Sequence, residues 1–501
     1  MNLDIFIYHK TLVLNYSKAY SYEYELCIGY IHQTGEIMFN SKIYVNRRTE
    51  LKKKLKSGLV LFLGNNEAPM NYTNNTYSFR QDSTFLYYFG LDQAELSAVI
   101  DLDENKETVF GNDFTIDDIV WMGAQPTIKQ SAAKCGVKFS APAEELEKVC
   151  FNAIKQGRKI HFVPQYRHEN ILRLHKLLGI APKYVNEYAS MLLIKAIAEQ
   201  RQVKAAEEIA EIEKAIEISY EMQTAAMRFA KPGMYERDVM GFVAGLAMSL
   251  GSGSSFPVIF SRHAEILHNH YYGNKLQAGD LVVNDSGAES LLHYASDITR
   301  TFPVSGKFTQ KQKDIYEIVL ISQLVSISEI KPKVTYKSVH LKCAEVMADG
   351  LKALGLMKGN TKSAVEAGAH ALFFPHGLGH LLGLDVHDME NYGENNFGYD
   401  EKLKRSTQFG LKSLRYARPL VPGVVLTVEP GLYFIPTLID KWQGEKKFTD
   451  FINYDKVNEY RNFGGIRIED DVVVMKNGCR VLGKPIPKAV EDVEEFASDK
   501  I

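Results

Sequence analysis

Thirteen consecutive residues carry three histidines and two acids, His376, His380, His387, Asp385 and Asp388, interrupted by Gly377, Gly379 and Gly383. On a helix His376 and His380 would share a face, but each glycine would cost about 1 kcal/mol there. The run therefore reads as a glycine-loosened turn feeding a strand. Glycine lets backbone pass close to a ligand, and histidine is the commonest nitrogen ligand to metal and the usual proton carrier near neutral pH. Any one of these histidines alone reads as an ordinary loop residue. What lifts them above that lies elsewhere in the chain.

An internal echo supplies acids. The stretch from Leu276 through Gly279 and Asp285 to Gly287 shares a template with that from Leu420 through Gly423 and Glu429 to Gly431: a leucine, a glycine turn, a mostly apolar strand, an acid, then glycine. Each copy is followed by a second strand bearing another acid, Asp297 in the first and Glu469 in the second. A carboxylate in an apolar strand is costly to bury unless paired, hydrogen-bonded or metal-bound, and too few bases lie nearby to pair all four. Asp470 and Asp471, by contrast, read as strand-end acids facing solvent. Asp285, Asp297, Glu429 and Glu469 with the His380 imidazole make a hard, oxygen-rich set suited to two divalent ions, Mn²⁺ in the first place. Two such ions can bring the pKa of a shared water from roughly 16 to about 7 and polarise a carbonyl, so amide hydrolysis is the chemistry expected.

These residues resemble the aminopeptidase P and prolidase family of dinuclear metallopeptidases. The segment from His376 to Asp388 is similar to its signature, and Asp285, Asp297, His380, Glu429 and Glu469 match its five metal ligands in identity and order. The resemblance spans roughly residues 45 to 480 and includes the run from Phe79 to Gly90. It implies a pita-bread fold, a pseudo-symmetric α/β (α+β) domain with a curved antiparallel sheet, behind a smaller N-terminal α/β domain. It implies that Glu429 also takes the nucleophile's proton and that His268 and His387 steady the carbonyl and the tetrahedral intermediate. His270, beside His268, reads as ordinary. His376 and Arg467 are expected on the substrate side, Arg467 equally as an ion-pair partner for a ligand carboxylate. The substrate implied is a peptide with proline in second position, cut at the Xaa-Pro bond by an aminopeptidase. Prolidase action on Xaa-Pro dipeptides is the alternative, and Arg415 is where longer prolidases place an arginine for the free carboxylate. A non-catalytic binding protein on this fold would lack ligands, as would a metal-free creatinase-like hydrolase, and none is missing. A zincin would need glutamate directly after its first motif histidine, where Gly377 and Leu381 stand.

Elements must hold this set in place. The apolar run Leu59–Leu63 reads as a buried strand after a basic helix over 47–56, and 94–110 as a strand pair. Ile209, Ile212, Ile216 and Tyr220 fall at helical spacing in a segment closed by Lys231, Pro232 and Gly233, with further helices over 309–330 and 336–355. The expected division is an unassigned, tyrosine-rich extension over 1–40, an N-terminal domain over 41–190, the catalytic domain over 200–485 and a tail over 486–501. Stretches 391–420 and 437–462 read as surface excursions. The formal charge of -2 over 501 residues gives no field for nucleic acid or an anionic membrane. Five scattered cysteines without a Cys-x-x-Cys pair point to a reducing compartment. With no apolar run near spanning length and no leader pattern at the N-terminus, the expected location is the cytoplasm and the expected assembly a homo-oligomer, a dimer or larger.

Overall fold

The computed structural model describes residues 38–500. The expected extension over 1–40 thus lies, up to residue 37, outside the described residues. Helix α1 (Ser41–Lys54) opens on Asn40, whose side chain accepts from Lys42 N at 3.0 Å, and ends in three lysines that complement the helix dipole. Strand β1 (Leu59–Leu63) is buried at all five positions, as a continuous apolar run covered on both faces must be. It pairs antiparallel with β2 (Ser97–Asp101), which returns as β3 (Lys106–Phe110). The short β4 (Phe139–Ala141) and β5 (Ile160–His161) add parallel edges, in the order β4-β3-β2-β1-β5. On one face Phe62 meets Tyr88 and Phe89 of α2 (Ser83–Phe89). On the other, Leu61 and Leu63 pack under α3 (Glu145–Lys155) and α4 (His168–Leu178).

After α5 (Met191–Arg201) the chain runs twice through one plan of helix, helix and antiparallel strands. The first copy has α6 (Ala206–Phe229), α7 (Glu236–Leu250), β6 (Ile259–Ser261), β7 (Leu281–Ser286) and β8 (Ile298–Pro303). The second has α8 (Gln310–Glu329), α9 (Tyr336–Ala353), β9 (Val425–Val428), β10 (Gly431–Tyr433), β11 (Gly465–Arg467), β12 (Asp470–Val474) and β13 (Cys479–Val481). The sequence echo is an echo of bonds. After α6, Gly233 takes φ +99° and donates to Leu276 O at 2.8 Å; after α8, Lys333 takes φ +73° and donates to Leu420 O at 2.9 Å. Buried Gln223 of α6 donates to Ile298 O of β8 at 2.7 Å, and buried Gln323 of α8 donates to Asp470 Oδ2 of β12 at 3.1 Å. Every strand pair described in this half is antiparallel, β8-β7-β6 in one sheet, β9-β12-β13 in a second and β10-β11 in a third. The two copies join where Glu469 N donates to Thr299 O at 3.0 Å and Thr301 Oγ1 to Arg467 O at 2.9 Å. This is the curved antiparallel sheet of a pita-bread fold behind a smaller α/β domain.

Two expectations need correction. The His376 to Asp388 run forms no strand of its own: it stays irregular and lies along β9 at one isolated bridge, Leu381 with Leu426, flanked by Leu382 N donating to Val425 O and Glu429 N to Leu378 O. The reason is crowding, since a Cβ on Gly379 would lie 2.2 Å from Thr427 O and one on Gly383 2.7 Å from Asp388 Oδ2. The expected surface excursions are partly built in. Stretch 437–462 holds helices Pro436–Gly444 and Tyr454–Asn458 with Ile439, Trp442 and Val457 buried, and 391–420 buries Phe397, Leu414 and Tyr416. Apolar anchors spaced among many polar residues gave no sustained period to read.

Candidate metal centre and substrate cavity

The predicted acids come from strand ends that the two-fold plan brings face to face. Asp285 sits in β7, Asp297 just before β8, Glu429 just after β9 and Glu469 just before β12. His380 arrives from the irregular run, its backbone pinned to β9 by Thr427 N donating to His380 O and His380 N to Thr427 Oγ1, at 3.0 and 3.1 Å. In each of three groups, Asp285/Asp297/Glu469, His380/Glu429/Glu469 and Asp297/His380/His387, one donor atom per residue lies within 4.8 Å of the others. The five predicted ligands are thus one cluster, with Glu469, Asp297 and His380 shared between groups.

Its electrostatics favour a cation. His380 Nδ1 lies 3.0 Å from Leu381 O, a pure acceptor, so Nδ1 carries the proton and the Nε2 lone pair points at Asp297 Oδ2 (3.3 Å) and Glu429 Oε1 (3.8 Å). Lone pair against carboxylate is repulsive unless something positive lies between. Burial, then Asp285, Asp471 and Glu429, push the Asp297 carboxyl far above the usual range; burial, then Asp297, Glu429 and Asp285, do the same to Glu469. Burial raises Glu429 too, against the pull of His380 and Arg467. Asp285 Oδ1 and Asp297 Oδ1 are buried without a hydrogen-bond partner. The guanidinium in contact with the cluster is that of Arg467, which pairs with Asp285 Oδ2 and donates through Nε to Thr299 Oγ1 at 3.1 Å. One cation cannot balance three buried carboxylates and the half-buried Glu429, and oxygen donors with an unprotonated imidazole nitrogen fit hard divalent ions. The expected alternative for Arg467, an ion-pair partner, is what the geometry displays, and it lines the same cavity as well.

That cavity, about 490 Å³, collects the remaining candidates: His268, His376, His387 and Arg415 line it with the four acids and the His380 imidazole. Burial, then Arg467, lowers the His268 pKa. Burial, then His380, pushes His387 down to about 4; its Nδ1 donates to Glu390 Oε1 at 2.9 Å, and its ring lies 3.9 Å from that of His380. Burial, then Arg467, pushes His376 down to about 3. Its Nδ1–H donates to Gly377 O at 2.8 Å, so Nε2 accepts from Tyr433 OH at 2.9 Å. His270 lines the cavity too, at 3.5 Å from Tyr272 OH.

Sequence reading missed several supports. Tyr433 OH accepts from Arg467 Nη1 at 2.9 Å while serving His376, and its only sequence signal was its place two residues after the glycine of the second template. Asp388, next to His387, is held by Arg201 Nη2 at 2.6 Å and Lys204 Nζ at 2.8 Å. Burial acts against its ionised form, yet these two cations keep its pKa below the usual range. Asp470 and Asp471, expected at the surface, are both buried. Asp470 pairs with Arg300 at 2.6 Å, and Asp471 Oδ2 accepts from Asp297 N at 3.0 Å. Their partners lie about 170 residues away in sequence, out of reach of any local pattern.

The fold and the cluster together define a metal-dependent hydrolase. Residues 210–476 match the model of metallopeptidase family M24, and residues 44–161 that of the aminopeptidase P N-terminal domain. The chain is 33% identical over 464 residues to the Xaa-Pro dipeptidase of Rattus norvegicus, covering 90% of this chain and 92% of the relative. It is 30% identical over 484 residues to a probable Xaa-Pro aminopeptidase of Paracoccidioides lutzii, covering 94% and 99%. Among solved structures, Escherichia coli aminopeptidase P in complex with substrate superposes with a TM-score of 0.75 at 28% identity, covering 92% of this chain and 98% of that one. The chain belongs to metallopeptidase family M24.

Proposed function

We propose that this protein hydrolyses the Xaa-Pro bond at the N-terminus of peptides. The observation that carries the reading is the convergence of three buried carboxylates, the half-buried Glu429 and the bare Nε2 of His380 on a space with one guanidinium in contact and two orphaned oxygens. Asp285, Asp297, His380, Glu429 and Glu469 would hold two divalent ions, Mn²⁺ in the first place because oxygen donors dominate. Such ions supply Lewis acidity and an activated water at neutral pH. The chain's own groups do the rest. Glu429, less enclosed than the other acids with its side chain 20% exposed, takes the water's proton on the carboxylate oxygen not facing His380. His387, neutral and fixed as the Nδ1–H tautomer by Glu390, keeps Nε2 as an acceptor on the substrate side, while His268 presents a ring N–H that steadies the carbonyl oxygen as charge develops. Tyr433 locks His376 and Arg467 together on the substrate side. Phe256, Ile259, Leu267 and Val386 give the cavity apolar wall for a pyrrolidine ring, which asks for no amide acceptor.

A second reading, prolidase action on Xaa-Pro dipeptides, is favoured by one observation: Arg415 lines this cavity, where it could meet a free proline carboxylate. The division into 41–190 and 200–485 is part of the proposal, supported by family matches that fall inside those spans. So are a cytoplasmic location, for which the free thiols of all four described cysteines speak, and a homo-oligomeric assembly. Among the described residues no helix is long and apolar enough to cross a membrane. The test is turnover of Xaa-Pro and Xaa-Pro-Xaa-Xaa peptides against alanine-for-proline controls, with Mn²⁺ added. Cleavage of the controls at equal rate would remove proline from the proposal, and preference for the unextended dipeptide would select the second reading.

A further inference from the structure

Arg415 lines the cavity, yet its charge is already spent. Its Nη1 lies 2.6 Å from Glu390 Oε1 and 3.0 Å from Glu394 Oε1, while Glu394 Oε2 pairs in turn with Arg405. Glu390 also accepts from His387 at 2.9 Å. Two guanidinium groups and two carboxylates thus make a cluster of zero net charge where a carboxylate-selecting pocket would present a free cation. The arrangement is held firmly. Glu390 and Glu394 sit on consecutive short 3-10 turns, Glu390–Tyr392 and Glu394–Asn396, entered through Met389 at φ +68°. The buried Tyr392 bonds Thr84 of α2, Asn391 Nδ2 donates to Pro164 O at 2.8 Å, and Gly398 N closes onto Glu394 O at 2.7 Å. The side chains are 28% and 11% exposed, so water screens the pairs only in part.

We propose that Glu390 and Glu394 are positioning residues that set specificity through Arg415: by occupying its guanidinium they weaken its pull on a free C-terminal carboxylate, so that the cavity favours substrates continuing beyond proline. The inference rests on the Xaa-Pro reading above and resolves the role of Arg415 within it. A third carboxylate brought to Arg415 meets two anions already in place, whereas an amide or a continuing peptide meets no such repulsion.

The test compares Ala-Pro with Ala-Pro-amide in wild type, Glu394→Gln and Glu394→Gln/Arg415→Ala, all loaded with Mn²⁺ and checked for unchanged thermal unfolding. Glutamine keeps the shape and one acceptor of glutamate and removes the charge. In Glu394→Gln, KM for Ala-Pro should fall roughly three- to fivefold, with kcat moving less and the ratio to the amide substrate shifting by that factor. The gain should shrink as salt rises and vanish when Arg415 is absent. A purely structural role would move both substrates together. An unchanged ratio, or a rise in KM for Ala-Pro, would overturn the proposal, the latter by making the glutamates aids to carboxylate binding. If wild type turned over neither peptide, the Xaa-Pro reading would fall by itself. Calorimetric binding of the same pair would then decide, a preference for the carboxylate gained in Glu394→Gln supporting the role given to the glutamates and its absence refuting it.

Discussion

Acid should destabilise this protein through two histidines that take no part in its chemistry. His340 of α9 and His370 are buried, their rings 6.5 Å apart, and none of their four ring nitrogens has a hydrogen-bond partner among the described residues. Burial, then His370 and His376, pushes His340 from 6.5 down to about 3, and burial pushes His370 down to about 4. As pH falls through 6.5 the unfolded chain takes up protons that the folded one refuses, so stability drops from that point and levels off only below the folded values. One pKa unit is about 1.4 kcal/mol, so at pH 5 each imidazole costs about 2 kcal/mol relative to pH 8, about 4 for the pair. Leucine is close in volume and has no proton to gain. Urea unfolding of metal-loaded wild type, His340→Leu, His370→Leu and the double variant at pH 8 and pH 5 isolates the term, because all other titrating groups are common to the four proteins. Each single variant should recover about half of the loss between the two pH values and the double variant about 4 kcal/mol of it. A wild-type pH dependence matched within about 1 kcal/mol by the double variant would refute the reasoning. The consequence reaches the cavity, since His340 packs on Phe374 at 5.2 Å and Phe374 on His376 at 5.0 Å.

Other outcomes are expected at the cluster itself. Chelation should abolish turnover and Mn²⁺ restore it best; full activity in protein shown metal-free by elemental analysis would remove the metal centre. Asp297→Asn or His380→Ala should each lower kcat by roughly a thousandfold or more with far-ultraviolet circular dichroism unchanged, because such residues fail as a unit. Glu429→Gln should lose activity that full metal occupancy does not return, since an amide oxygen can coordinate but cannot accept the proton; wild-type rate at equal metal content would leave Glu429 a ligand only. Asp388→Asn, which leaves buried Lys204 without a carboxylate partner and Arg201 with Asp385 alone, should cost about 3–5 kcal/mol in chemical unfolding, and a loss below 1 would mean Lys204 finds another partner.

What could be read in the chain was whatever repeats or is periodic. The echo between the Leu276 and Leu420 templates pointed to four of the five predicted ligands, all acids, because a two-fold plan puts equivalent strand ends in equivalent places, and the structure brings those ends together. The helix over Ile209 to Tyr220 and the strand Leu59–Leu63 carried their own periods and formed as expected. The His376 to Asp388 run, read as feeding a strand, forms only three backbone bonds along β9, at Leu378, His380 and Leu382, while Gly377, Gly379 and Gly383 each stand where a Cβ would meet other groups at under 3.0 Å. At Gly377 and Gly379 such crowding is set by Leu414 and Thr427, distant in sequence, and at Gly383 by Lys204 together with the nearby Asp388.

The acids after Glu469 mark where local reading must stop and long-range balance takes over. In an extended segment alternate residues share a face, so Glu469 and Asp471 fall on the side of the cluster while Asp470 points away toward α8. Asp470 is balanced by Arg300, by Lys488 and by Gln323 Nε2 at 3.1 Å, and these hold its pKa below the usual range although burial opposes them. Asp471 has no such cation. Burial drives its carboxyl far above the usual range, and its task is to accept from the backbone N of Asp297 at 3.0 Å. Three neighbouring acids therefore do three different things: one belongs to the carboxylate cluster, one ties β12 to α8, and one fixes the backbone beneath another member of that cluster. Alternation predicts which face each takes, but only the partner met on that face decides its charge.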